Sequence, residues 1–380
     1  MGRALASFYG RARSIPDRWE TKMLRKISLC AAAGLWLAFV GAAVAADIAQ
    51  LAKMTGPDRE RILHDGARKE GKVVLYSAMI ENQALRPIKA AFTAKYPFLE
   101  VEFWRADTRD LINKTLAEVR SRSVVVDVVE GGGVSQSLIR AGVAQEFSLP
   151  GAAALPRAFV DPMWVATRVS YFGPAINTRM VSDDEAPKNY QDLLDPKWKG
   201  KIAWAANTET GGAMMFISFI RSWLGEQKGE EYLTQLAKQD IANLSGSPRE
   251  VVNKLIAGEY PLALNIFLHH PLISAQKGAP VAPLLLDPVL GNASVMVLLK
   301  NAPRPHAALL LMDYLVSEEG QKVIRDADYF PANPSVAVEA SVASIIPANS
   351  NKTLKFISEE DLFADRAKSI VLQKNLFQRR

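Results

Sequence analysis

Cysteine is all but missing from this chain. Cys30 is the one cysteine in 380 residues. It falls in an apolar N-terminal run, so everything after that run lacks a thiol for a disulfide, a nucleophile or a thiolate metal site. Histidine is scarce too, with four in all, and no two of them form an H-E-x-x-H pair. No G-x-S-x-G elbow occurs. These absences leave no hydrolase or metalloprotease constellation, and no catalytic residue, cofactor or resident metal is expected. Excess charge is lacking as well. Of 46 basic and 40 acidic side chains, seven and two fall within residues 1–45, which leaves 39 against 38. A near-neutral remainder has no bulk attraction for nucleic acid or anionic lipid. No run after residue 46 is long and apolar enough to span a bilayer.

What is present begins with a leader. Ile27 to Ala46 are almost wholly apolar, follow Arg25 and Lys26, and end in Ala43-Val44-Ala45, the small-x-small pattern of a signal peptidase site. The pattern predicts a signal peptide over residues 1–45, a mature chain from Ala46 and a periplasmic location. A retained transmembrane anchor is the competing reading of the same stretch. The export signal fits into a segment starting at Met23, which leaves Met1 and Met23 as alternative starts. Cys30 makes a poor lipid-attachment site, because Leu29 stands before it where a small residue is expected.

The remainder reads as two similar α/β halves around one extended run, Ala158 to Thr178. Within that run Trp164, Val165, Thr167, Val169, Tyr171 and Phe172 are strand formers, bracketed by Pro162 and Pro174. Before it, Val73 to Tyr76 is a short apolar run. Glu81 to Tyr96 then carries apolar residues at helical spacing, and Leu99 to Trp104 alternates as a half-buried strand. Asp107 caps a helix striped by Leu111, Ile112, Thr115, Leu116 and Val119, and Val124 to Val129 follows as a buried strand. Strands separated by helices imply a parallel sheet. After the run the alternation returns: strand Ile202 to Ala205, helices Thr210 to Leu224, Glu230 to Lys238 and Pro248 to Ala257, and strand Leu262 to Phe267. Val295 to Leu299 is expected to cross back.

Tyr190-Gln191-Asp192-Leu193-Leu194-Asp195-Pro196-Lys197-Trp198-Lys199-Gly200 resembles the short helix and turn just inside the second lobe of extracellular solute-binding proteins, in particular the ferric-ion-binding type of ABC-transporter receptor. Leu75-Tyr76-Ser77, Asp127-Val128-Val129, Ser317 to Gln321 and Pro331 to Pro334 resemble other fixed points of that family, in the expected order. The resemblance covers Lys72 to Val336. It implies a two-lobed type II periplasmic-binding-protein fold with a two-strand hinge and an interlobe cleft. Lobe 1 would comprise residues 46–163 and 287–331, and lobe 2 residues 164–286 and 332–380. Helices Ala307 to Leu315 and Glu319 to Ile324 would pack back on the first lobe. The implied role is to bind a small solute, as a monomer, and deliver it to an inner-membrane ABC permease. A periplasmic sensor partner and a secreted enzyme remain alternatives on the same fold.

The resemblance also exposes a departure. Ferric-binding relatives hold the metal largely with two adjacent tyrosines, because phenolates are hard anionic donors. This chain has Phe267-Leu268-His269-His270 at that place. A further family histidine would fall near Met79, Ile80 or Glu81, and a carboxylate near Gly132, and neither ligand is there. Imidazoles suit softer divalent ions, so an iron-type fold without iron is expected. A divalent-metal or iron carrier using His269 and His270 stays as the alternative. A small organic anion suits the remaining residues better. Thr210, Gly211 and Gly212 open one helix and Ser247 caps another, each presenting unsatisfied N–H donors that favour negative charge. The three glycines after Glu130 allow close backbone approach at a strand end. The candidate solute contacts are Ser77, Met79, Trp104, Gly132, Gly133, Tyr171, Thr210, Gly211, Gly212, Ser247, Asn265, His269 and His270.

Overall fold

The structure is a computed structural model that describes residues 48–206 and 211–378. The expected leader, with Cys30 and its cleavage site, and Thr210 lie outside the described residues. Between Lys72 and Gly131 the predicted alternation forms three parallel strands, β1 (Lys72–Ser77), β2 (Glu100–Arg105) and β3 (Val128–Gly131), in the spatial order β2-β1-β3. The connecting helices Arg86–Lys95 and Thr108–Ser121 bury the expected stripes, Ile88 and Phe92 on one, Leu111 and Thr115 on the other. Asp107 does stand at the N-cap, with extended backbone but no side-chain capping bond.

β3 starts four residues later than its apolar run suggests, and Asp127, just before it, bonds through its side chain as well as its backbone. Its fully buried carboxylate accepts the Val74 N–H at 2.8 Å, the Arg304 N–H at 2.9 Å and Arg304 Nε at 2.8 Å. One carboxylate thereby clips the start of β3 to β1 and to the chain entering helix Pro305–Val316. Burial outweighs these three donors and raises its pKa to about 6.

The central run becomes β5 (Trp164–Asn177), with the short β4 (Val160–Asp161) paired to its start. The extended run was expected to reach Thr178, and β5 continues through Pro174 to Asn177. The proline sits at a register shift against β8 (Leu262–Phe267), where no ladder N–H is needed, and its carbonyl accepts from Leu284 N–H at 2.9 Å. β5 lies antiparallel to β10 (Val289–Leu298), with partners running from Leu290 opposite Phe172 to Met296 opposite Val165. The return crossing is therefore longer than expected, beginning at Val289.

Beyond β5 the sheet continues β8-β6-β7, with β6 (Ile202–Ala205) parallel to both β8 and β7 (Ala242–Leu244). β9 (Val281–Pro283) and β11 (Phe330–Pro331) pair with β5, and β12 (Leu354–Phe356) pairs with β10. Apolar side chains gather into separate cores on the two sides of the crossing. The larger joins Leu63, Phe92 and Leu111 to Leu309 and Tyr314, so helix Pro305–Val316 does pack back on the first lobe. The other joins Trp204, Phe216, Phe219 and Leu262 to Ile357 and Leu362 of the tail. The result is a two-lobed α/β fold hinged on two crossing strands. Among the described residues no helix is long and apolar enough to cross a membrane.

Removing the Asp127 carboxylate tests how much its clip contributes. Asp127→Ala leaves Arg304 Nε and the Val74 and Arg304 N–H groups without this acceptor, and should cost about 3–5 kcal/mol in urea unfolding. A loss below about 1 kcal/mol would place the clip among exposed ion pairs in strength.

Candidate functional site

The carboxyl ends of the first-lobe strands and the helix starts of the second lobe face one another across a cavity of about 480 Å³, within the range of small-molecule sites. β1 leads into Ala78, Ile80 and Glu81, β2 leads into Arg105, Asp107, Thr108 and Arg109, and β3 leads into Gly132. Arg168 of β5 and Ser294 of β10 line it from the hinge. From the second lobe come Ser247, Pro248 and Arg249 at the start of helix Pro248–Ile256, and Phe267, His269 and His270 past the end of β8. Tyr329 lies between.

Arginine dominates this wall, and its four members are not equivalent. Arg105 lies 3.3 Å from Asp107, and Arg168 is paired with Glu130. Arg249 instead donates to neutral atoms, the His270 carbonyl at 3.3 Å and Ser274 Oγ at 3.0 Å. Among the described residues no carboxylate forms an ion pair with Arg249. Burial lowers its pKa from the ordinary arginine value, yet a guanidinium remains cationic in proteins. A partly buried cation without a counter-charge is the feature an anionic ligand completes.

His269 supplies the complementary chemistry. It is 1% exposed, and burial, with Arg168 and Arg249 behind it, depresses its pKa to about 3. The ring is therefore neutral, with one donor and one acceptor nitrogen. Neither nitrogen has a protein partner, and His270 Nδ1 is also unpaired. The His270 ring lies 4.4 Å from that of His269, and burial first, then His269 and Arg249, hold its pKa well below the usual value. Tyr329 closes this corner, its ring 5.5 Å from His269 and its hydroxyl accepting the Ile80 N–H at 3.2 Å. Among the described residues no three His, Cys, Asp or Glu side chains gather as a metal site.

Four sequence candidates line this cleft: Gly132, Ser247, His269 and His270. Ser247 caps its helix as expected with Pro248 in the first turn. A reciprocal bond from Glu250 makes a capping box, which occupies the serine hydroxyl and N–H. The other candidates lie elsewhere. Ser77 is fully buried, donating to Glu130 at 2.5 Å and accepting the Met79 N–H at 3.0 Å. Met79 belongs to the first-lobe core. Trp104 packs edge-on against Tyr76 at 5.1 Å. Tyr171 packs on Phe330, with Val169, in a small apolar cluster. Gly211 and Gly212 have left-handed φ of 74° and 69° and stand outside the cleft lining. Asn265, itself at φ 54° and buried, donates to the Gly212 carbonyl at 2.8 Å and so fixes that turn. A Cβ on Gly211 would also meet Pro248 Cγ at 3.0 Å, which makes this glycine a structural requirement of the turn.

Gly133 lines a neighbouring smaller cavity, and its N–H already has an acid. Glu359, from the far end of the chain, accepts the Gly133 N–H at 2.5 Å, the Ser135 N–H at 2.9 Å and the Ser135 hydroxyl. The backbone approach expected at Gly133 is thus taken by the protein's own carboxylate. Sequence reasoning also missed Arg105, Arg109, Arg168, Arg249 and Tyr329. Of these only Arg249 carries a local signal, two residues past the Ser247 cap at a helix start.

Burial raises the Glu359 carboxyl to about 7, against the lowering effect of its three donors. A folded pKa above the unfolded one gives stability that is full below about pH 4.5 and is lost as the pH rises through about 7. Urea unfolding of the parent and of Glu359→Gln at about pH 5 and about pH 8 should therefore show the parent losing roughly 2–3 kcal/mol more than the variant. A pH-independent difference would contradict the assignment.

Comparison with known proteins adds three findings. Residues 124–362, more than half of the chain, match the family described as bacterial extracellular solute-binding protein. Iron uptake protein A1 from Synechocystis sp. is 25% identical over 212 residues, which cover 51% of this chain and only 56% of that protein's length. Among solved structures, the periplasmic binding protein AfuA from Actinobacillus pleuropneumoniae, with exogenous fructose-6-phosphate bound, superposes with a TM-score of 0.71 at 20% identity. That match covers 82% of this chain and 100% of the other. Apo ferric ion-binding protein A from Pasteurella haemolytica gives 0.67 at 18% identity, over 80% and 98%. The shared fold thus serves a protein holding a sugar phosphate and proteins named for iron.

Proposed function

The chain belongs to the bacterial extracellular solute-binding protein family, and from that premise we propose that it is the periplasmic receptor of an ABC importer for a small organic anion. The observation that carries this reading is Arg249, a cation in the interlobe cleft without a counter-charge among the described residues, beside a neutral and unpaired His269. A phosphonate, phosphate ester or carboxylate completes the first, and a polar group on the same molecule completes the second. The bound sugar phosphate of AfuA supports this class of ligand.

Residues 46–163 and 287–331 form lobe 1 in this reading, and residues 164–286 and 332–380 form lobe 2, in keeping with the two apolar cores. Rotation about β5 and β10 brings Arg249 and His269 toward the first-lobe wall, and the closed monomer is what an inner-membrane permease receives. Export follows from the leader, residues 1–45. Iron fits the cleft poorly. Where the ferric relatives hold metal with paired tyrosines, this chain has Leu268, His269 and His270. Tyr329, which lines the cleft, is pushed above the usual tyrosine pKa by burial and stays a phenol.

A thermal-shift and calorimetric screen tests this. At a hundredfold over its dissociation constant an organic anion should stabilise the protein by about 2.7 kcal/mol. Arg249→Ala should weaken binding by about 2–3 kcal/mol, on the order of a hundredfold. Stabilisation by zinc or nickel alone, lost when His269 and His270 are both changed to alanine, would replace the anion with a metal. Ferric citrate should raise no tyrosinate charge-transfer band, and a strong visible band would reinstate iron as cargo.

A further inference from the structure

The hinge contributes its own arginine to the cleft, and that arginine is tied to a carboxylate which never reaches the solute. Glu130 ends β3 and is fully buried. Its Oε1 accepts from the Arg168 guanidinium and from Thr167 Oγ at 3.0 Å, and its Oε2 accepts from Ser77 Oγ at 2.5 Å. The carboxylate is thus fixed from β1 and from the hinge strand β5 together. Arg168 lies 4.9 Å over the Tyr329 ring and lines the cleft, and its buried Nε has no partner. Opposite it on β10, Cα-paired with Arg168, stands Ser294, at the register shift of the crossing.

We propose that Glu130 sets the charge selectivity of the cleft by holding Arg168 as a charge-compensated donor, so that the solute carries its anionic group at one end, against Arg249, and turns uncharged oxygen atoms to the hinge. The inference rests on the anion-receptor reading and adds to it the distribution of charge along the solute. Two arginines 81 positions apart in sequence have opposite electrostatic roles, because one has a buried counter-charge and the other has none among the described residues. A second carboxylate or phosphate placed at Arg168 would face Glu130 behind the guanidinium. Its attraction to the cation would then be largely cancelled. An uncharged hydroxyl there meets no such cancellation. His269, neutral and unpaired within the same lining, suits a hydroxyl as well, since a hydroxyl both donates and accepts. Glu130 acts through Arg168 and is a positioning residue. Ser77 and Thr167 support it in turn.

Glycerol 3-phosphate and 3-phosphoglycerate separate the possibilities, since they have the same length and differ in bearing a hydroxymethyl or a carboxylate at the far end. In calorimetry the parent should prefer glycerol 3-phosphate. Glu130→Gln uncovers the Arg168 charge and should shift the affinity ratio toward 3-phosphoglycerate by on the order of tenfold or more, with a steeper salt dependence. The double variant Glu130→Gln with Arg168→Gln removes both charges. With no cation left uncovered it should show no shift toward 3-phosphoglycerate, whatever its overall affinity, and this can be read even if the single variant does not fold. Equal losses for both probes in Glu130→Gln, or a double variant that shifts toward 3-phosphoglycerate as the single variant does, would reduce Glu130 to a structural role and overturn the inference. If the parent binds neither probe, nor any anion through Arg249, the receptor reading itself fails. Anion binding through Arg249 with an unchanged ratio in Glu130→Gln would sink this inference alone.

Discussion

The antiparallel pairing of β5 with β10 is the constraint from which the rest of the structure follows. Each strand leaves one apolar core and enters the other, so this pair carries the chain between the two cores. Everything that lines the cleft is placed by it. Arg168 and Ser294 lie on the pair itself, the first-lobe strands end on one side of it, and β8 with helix Pro248–Ile256 stands on the other. The register shift between Ser294 and Val295 falls where the strands pass the cleft, and such an irregularity bends a strand and re-aims its side chains.

Charge is distributed over this frame unevenly, and that unevenness gives the cleft its chemistry. Glu130 and Asp127 are both buried and both bind arginines, yet they do different work. Asp127 joins Arg304 to the edge of the first lobe and holds backbone together. Glu130 holds an arginine that faces the cleft. Arg249 has only neutral partners, at the start of a helix whose own N–H groups are partly taken by a capping box. In the anion-receptor reading the pull on the solute comes from this cation, which has no counter-charge among the described residues, because residues 46–380 are near neutral and exert no general pull.

Much of the fold was legible because it rests on local pattern. The strands Ile202–Ala205 and Leu262–Phe267 and the cap at Ser247 stand where alternation and turn chemistry put them. The crossing was legible as a strand, its expected run ending at Thr178, one residue past the end of β5. The site was legible only in part. His269, His270 and Gly132 follow strand ends and could be found that way. The arginines could not, since a cleft arginine and a solvated one look alike until the partner is known. Ser77 shows the reverse error. A polar residue at a strand end suggests a solute contact, but its partner Glu130, 53 residues on, keeps it buried. Gly133 was misjudged for the same reason at longer range, its acceptor being 226 residues away in the tail.

That tail gives the second lobe a contact with the first beyond the hinge. Helix Glu359–Leu372 packs against helix Gly212–Leu224 while Glu359 holds the Gly133 turn, so the lobes meet through a buried carboxylate as well as through two strands. The cleft beside it is the part of the molecule left to the solute. The most direct test is a crystal structure of the protein grown with whichever anion stabilises it most. The account predicts density for that anion within hydrogen-bonding distance of Arg249 and His269, between the two lobes. Density at another surface, or a metal ion bridging His269 and His270 with no anion beside Arg249, would contradict it.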